Sequence, residues 1–259
     1  MARVFGSVLS LLSAAFILLL LQQEATGIEA RSEVDEVVDA CLAHAASLTL
    51  GASLRFTRTK LRTGQPLTIV ALGSSSTTGF GAFGKGTAFP DVMEQELVRL
   101  EPGAQIKVIN RGRAMDDLTD NIARLDKDVL PDMPDLVIWQ IGTNDVVWRG
   151  IASHSKEMLA DSIRRIKAAR ADVILLDLQY APLVLLSPRH TEMETIIADV
   201  ARQQNVGLFP RFFLMKQAID AGVTGLVSWD GLHNSARGYA CVGIALARMI
   251  DGAVRRPTE

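Results

Sequence analysis

Five short apolar runs, set between stretches of helical periodicity, constrain this chain more than any other feature. Leu67-Thr68-Ile69-Val70-Ala71-Leu72 ends at Gly73, and Ile106-Lys107-Val108-Ile109 runs into Asn110-Arg111-Gly112. Leu136 to Ile141 ends at Gly142, followed by Val173-Ile174-Leu175-Leu176 and Val206-Gly207-Leu208-Phe209. These runs are continuously apolar rather than alternating, which predicts strands covered on both faces. Between them the spacing predicts helices. Pro90–Leu100 places Met93, Leu97 and Leu100 on one face, and a second helix covers about Leu118 to Leu130. Ser155–Arg170 aligns Leu159, Ile163 and Ile166. Thr191 to about Gln204 carries a Thr191/Glu194 capping box. Ala236–Ile250 aligns Val242, Leu246 and Met249. Strand and helix in regular alternation mean a parallel α/β fold, a three-layer α/β/α sandwich.

The flanks read differently. Arg3 precedes an apolar run from Val4 to Leu21, and small residues at Ala25 and Gly27 suit cleavage after Gly27. Residues 1–27 therefore read as a secretory signal, with an uncleaved membrane anchor as the rival. Either one exports the globular part, to the periplasm or beyond. Residues 28–64 read as an N-terminal helix and a connection. Ser32 starts the helix, and Val34, Val38, Cys41, Ala45 and Leu48 share a face. The polar, basic stretch from Gly51 to Gly64 reads as irregular. Cys41 and Cys241 are the only cysteines, so they are either one disulfide or two buried thiols. The net charge is -2, there is no basic run, and aromatic residues make up 5%. That excludes a nucleic-acid partner and leaves the N-terminal segment as the single membrane contact.

In such a sheet ligands bind beyond the C-terminal strand ends. Gly73-Ser74-Ser75-Ser76-Thr77-Thr78-Gly79 follows the first strand, without the lysine of a P-loop or the spacing of a dinucleotide fingerprint. It reads as a hydroxyl nucleophile on a tight turn, or as a solvated loop. Gly112 permits backbone approach to a ligand, or is an ordinary turn glycine. Gly142-Thr143-Asn144-Asp145 offers an Asn amide, or an Asx-turn. In Asp230-Gly231-Leu232-His233 the acid can hold Nδ1 and free Nε2 as a base, or Asp230 simply caps a helix. Together they supply a hydroxyl, an oriented base and N–H donors, the parts required for acyl transfer.

These four blocks, in this order between about Leu67 and Ile250, resemble the SGNH (GDSL-type) hydrolases. The resemblance implies a flavodoxin-like sandwich with a five-stranded parallel sheet over residues 65–259, and a serine esterase that needs no metal or other cofactor. It implies Ser75 as nucleophile, with Ser74 and Ser76 as fallbacks, His233 as base and Asp230 as its orienter. The Ser75 and Gly112 N–H groups and the Asn144 amide would hold the oxyanion. Ser74 departs from the family's usual Asp.

The substrate is less constrained. An ester of a small molecule or polysaccharide fits, O-acetyl or short acyl groups on carbohydrate above all. Trp148, Trp229 and Tyr180 are candidates to stack on substrate, and Asp145 and Gln179 to meet its polar groups. Longer-chain lysophospholipase or thioesterase activity, acyl transfer to sugar hydroxyls, and a silent carbohydrate-binding protein are the competing readings. His44, His154 and His190 have no metal-ligand spacing around them.

Overall fold

The computed structural model describes residues 36–255. The leader and the helix start at Ser32 lie outside the described residues. Strands β1 (Leu67–Gly73), β2 (Ile106–Gly112), β3 (Leu136–Gln140), β4 (Asp172–Leu176) and β5 (Gly207–Phe209) form one sheet. Every pairing is parallel, in the order β2-β1-β3-β4-β5. Side chains alternate across it: Ile69, Leu136, Ile138 and Ile174 face one core, and Val70, Val137, Trp139 and Leu175 face the other.

The first core is closed by α1 (36–45), α4 (Phe89–Leu100), α9 (Arg211–Asp220) and α10 (Ala236–Arg255). The second is closed by α5 (Leu118–Ala123), α6 (Ser155–Ala168) and α8 (His190–Gln204). The three-layer expectation holds because both sheet faces need apolar cover. Cys41 of α1 and Cys241 of α10 form a disulfide, with Cα atoms 6.1 Å apart. Among the described residues no helix is long and apolar enough to cross a membrane.

Several local expectations change. The stretch from Gly51 to Gly64 is not irregular: it contains α2 (Arg55–Thr63). Its sequence is charged and Thr-rich, so propensity alone is weak. Distant groups hold it instead. The Asp172 carboxylate accepts the Thr57 N–H and Oγ1 at 2.8 Å each, and Arg58 donates to the Ala253 and Val254 carbonyls. The helix expected over 118–130 is α5 alone, followed by a wide turn at Leu125–Val129 and a tight one at Leu130–Asp132. Arg124 is drawn inward to Asp116 and the Gly73 carbonyl, and Pro131 blocks regular continuation.

The Thr191/Glu194 box does not form. Helix α8 begins at His190, and Glu194 bonds His190 Nδ1 at 2.9 Å. A capping box forms instead at Asp117 and Asp120 of α5. Helix α9 was not anticipated, and α10 runs past Ile250 to Arg255.

Candidate active site

Directly after β1 the chain turns through α3 (Ser75–Thr78), a single helical turn that puts Ser75 at its N-terminus. The turn is pinned from β3. Gln140 Oε1 accepts the Ser74 N–H at 2.9 Å, the Ser74 hydroxyl at 2.9 Å and the Thr77 hydroxyl at 3.2 Å. Ser74 thus serves as a buried donor to a neutral amide, a role an ionised Asp could not fill.

From the other end of the chain, Ser75 Oγ meets His233 Nε2 at 2.8 Å. His233 Nδ1 lies 2.6 Å from Asp230 Oδ2. Asp230 Oδ1 accepts the Leu232 and His233 N–H groups at 2.9 and 3.0 Å, so acid and base are locked in one four-residue turn. Burial pushes the Asp230 carboxyl up, but those N–H bonds and the imidazole outweigh it and hold the group below its ordinary value. Ser74 and Ser76 are both buried, and of the three serines Ser75 is the one bonded to the imidazole.

Gly112 and Asn144 stand on either side of β1. Gly112 pairs in register with Gly73. A Cβ there would come within 2.6 Å of the Thr78 nitrogen, so glycine lets β2 pack against α3. Its N–H, however, donates to Asn110 Oδ1 at 2.9 Å. The donor role expected of Gly112 is therefore occupied within its own turn. Asn144 donates Nδ2 to the Asp116 carbonyl at 2.8 Å. That carbonyl belongs to a braced loop, since the Asp116 side chain accepts from Arg124 at 2.6 Å and Asn121 at 3.0 Å. One amide hydrogen of Asn144 remains for another acceptor.

Other expected contacts fall elsewhere. Asp145 is 3% exposed and faces the Leu118 N–H at the start of α5, at 3.3 and 3.4 Å. Burial, reinforced by Asp117, raises its carboxyl to about 6. Gln179 is fully buried, bonded to Thr143, Arg211 and the Leu232 carbonyl. Neither is open to a substrate. Tyr180 packs edge-on against Phe212, 5.1 Å between centroids. Trp229 and Trp148 are exposed, at 85% and 54%.

Sequence reasoning missed Phe80, whose ring lies 4.7 Å from that of His233. The signal was Gly81: at φ +93° it passes so close that a Cβ would sit 2.8 Å from His233 Cβ. Met115 was also missed. It holds φ +70° in the loop that Asn144 grips, a strained conformation for a residue with a Cβ.

Residues 40–256 match the model of the non-GDSL lipase-like family. The chain belongs to this family. It is 28% identical over 168 residues to the esterase TesA of Pseudomonas aeruginosa, covering 64% of this chain and 79% of that one. It is 24% identical over 200 residues to an acetylxylan esterase of Geobacillus stearothermophilus, covering 70% of this chain and 90% of the relative. Among solved structures, the lipase/acylhydrolase of Enterococcus faecalis superposes with a TM-score of 0.61 at 26% identity. That match covers 72% of this chain and 96% of the other. Within the family, this member is a carboxylic ester hydrolase.

Proposed function

We propose that this non-GDSL lipase-like protein is an exported serine esterase that removes acetyl or other short acyl groups from carbohydrate. The observation carrying the reading is the unbroken relay from Ser75 Oγ through His233 to Asp230, at 2.8 and 2.6 Å. Ser75 Oγ attacks the ester carbonyl as its proton passes to His233 Nε2. The negative charge forming on the carbonyl oxygen is met by the Ser75 N–H, one of the unpaired donors at a helix start, and by the second Asn144 amide hydrogen. Collapse expels the alkoxide, which takes the proton from Nε2–H and leaves an acyl-serine. His233 then deprotonates water, whose oxygen attacks the acyl carbon, and Ser75 recovers its proton. Asp230, kept ionised, holds Nδ1–H and offsets the imidazolium charge.

Kinship with an acetylxylan esterase supports the carbohydrate reading. So do the exposed indoles of Trp229, beside the catalytic acid, and Trp148, which follows the Asn144 block. Export is supported by the apolar N-terminal run and by the disulfide, which belongs to oxidising compartments. A longer-chain reading draws on Phe83 and Leu186, exposed at 86% and 77% on loops after α3 and α7 (Pro182–Leu185).

A chain-length series of p-nitrophenyl esters, run beside acetylated xylan, tests the proposal. Acetate is expected to be the best ester and Ser75→Ala to be inactive on all of them. A preference for octanoate or longer would overturn the carbohydrate reading, and an active Ser75→Ala variant would overturn the mechanism.

A further inference from the structure

Arg211 is a buried ionisable group for which the mechanism above has no use. It opens α9, is fully buried, and has no carboxylate within ion-pairing distance among the described residues. Burial pulls its pKa down to about 10 and pushes that of nearby Asp177 up to about 7. Its Nε and Nη1 find no hydrogen-bond partner among the described residues. A guanidinium in that position costs stability, so stability does not explain it.

Its remaining nitrogen has a definite target. Nη2 donates to the Asp177 carbonyl at 2.5 Å and to Gln179 Oε1 at 2.8 Å. The Thr143 hydroxyl donates to the same oxygen at 2.8 Å. A guanidinium can only donate, so the Gln179 amide cannot turn over without placing N–H against N–H. Its Nε2 is thereby aimed at the Leu232 carbonyl, 3.0 Å away, one residue before His233. Thr143 precedes Asn144, and Arg211 follows β5 by one residue beyond Pro210.

We propose that Gln179, oriented by Arg211 and Thr143, is a positioning residue for the catalytic base, acting through the Leu232 carbonyl. The amide acts as a strut between the β3 and β5 ends of the sheet and the turn carrying Asp230 and His233. Asp230 fixes that turn from within, whereas Gln179 fixes it to the core. The inference rests on the Ser75–His233–Asp230 reading.

Gln179→Glu in the full, disulfide-bonded chain tests it. The variant keeps an oxygen for Arg211 and Thr143 and loses the N–H to Leu232. A merely structural Gln179 predicts unchanged turnover, since the new carboxylate pairs with the buried cation. A positioning Gln179 predicts that kcat on p-nitrophenyl acetate falls roughly ten- to hundredfold with KM within about twofold, a displacement effect. The downfield Nδ1 proton resonance of His233, assigned by its loss in His233→Ala, should shift in parallel. Wild-type kcat, or a fallen kcat with the resonance unmoved, overturns the inference. If Gln179→Glu does not fold, Thr143→Val decides by the same two readings, with a loss of about threefold expected. Ser75→Ala in the same assay separates the two claims: its activity would sink the esterase mechanism, while the resonance comparison still decides the role of Gln179.

Discussion

Replacing Asp145 by Asn should make the protein more stable at neutral pH, by an amount that depends on pH in a defined way. The carboxyl is 3% exposed, is met by a long N–H contact from Leu118 and by the backbone N–H groups of Asp145 and Gly142, which burial outweighs, and has Asp117 as an unfavourable neighbour. Burial first, and Asp117 second, raise it from 3.8 to about 6. In the folded protein the neutral form is favoured, so between those two values the native state holds more protons than the unfolded chain. Stability then falls as pH rises through that window, and the loss is complete above about 6. The gap between 3.8 and about 6 corresponds to about 3 kcal/mol, at about 1.4 kcal/mol per tenfold change in proton affinity. Asn keeps an oxygen for the Leu118 N–H and has no charge to desolvate. Any cost of placing its amide hydrogens is the same at every pH and cancels in a comparison. The assay is urea unfolding of wild type and Asp145→Asn at pH 4 and pH 8 with the disulfide intact. The stability of the variant relative to wild type should rise by about 2.5 kcal/mol between the two, because part of the gap is already lost at pH 4. An unchanged difference would refute the reasoning, because Asp145 would then ionise as it does in water.

Three further outcomes follow from other parts of the molecule. Ser74→Asp, which restores the acid usual in the wider hydrolase family, should destabilise the fold by about 1–3 kcal/mol, because a carboxylate would replace the hydroxyl that donates to Gln140 Oε1; chemical denaturation reads it. Cys41→Ser with Cys241→Ser opens a cross-link spanning 200 residues and should cost roughly 5 kcal/mol by loop entropy. Its kcat at 25 °C should stay near wild type, since the bridge joins two helices rather than site elements. Arg124→Met leaves the Asp116 carboxylate buried without its cation, a pair at 2.6 Å with both side chains 8% exposed. It should cost about 3–5 kcal/mol and lower kcat, because the Asp116 carbonyl seats Asn144; adding Asp116→Asn should recover part of the stability.

The elements legible in the sequence were those whose burial is dictated by local pattern. The runs at Leu67, Leu136, Val173 and Val206 are largely apolar, and a sheet covered on both faces buries them, whereas the run at Ile106 carries Lys107 and forms a part-exposed edge strand. Helix α2 escaped because its contacts lie elsewhere: Asp172 sits 115 residues beyond Thr57, and the Ala253 and Val254 carbonyls 195 and 196 beyond Arg58. Helix α9 escaped because Arg211, Phe212 and Phe213 obscure its apolar face, and Arg211 points inward where a charge is not expected. At the candidate site, residue types at the strand ends suggested the participants, but not which donors were free.

Asp230, Leu232 and His233 are set by sequence alone in one sense: a three-residue spacing is enough for the carboxylate to hold both the imidazole and two local N–H groups. The alternation of strand and helix likewise required Ser75, Gly112 and Asn144 to gather at one edge of one sheet. What only the tertiary structure decided is how each polar atom is used. Ser74 turns to Gln140, the Gly112 N–H to Asn110, Asp145 to Leu118, and Gln179 to Arg211 and Leu232. Hydrogen-bonding capacity belongs to the residue type, but whether a group meets a partner or stays open to a ligand depends on chain segments that pack against it from far away.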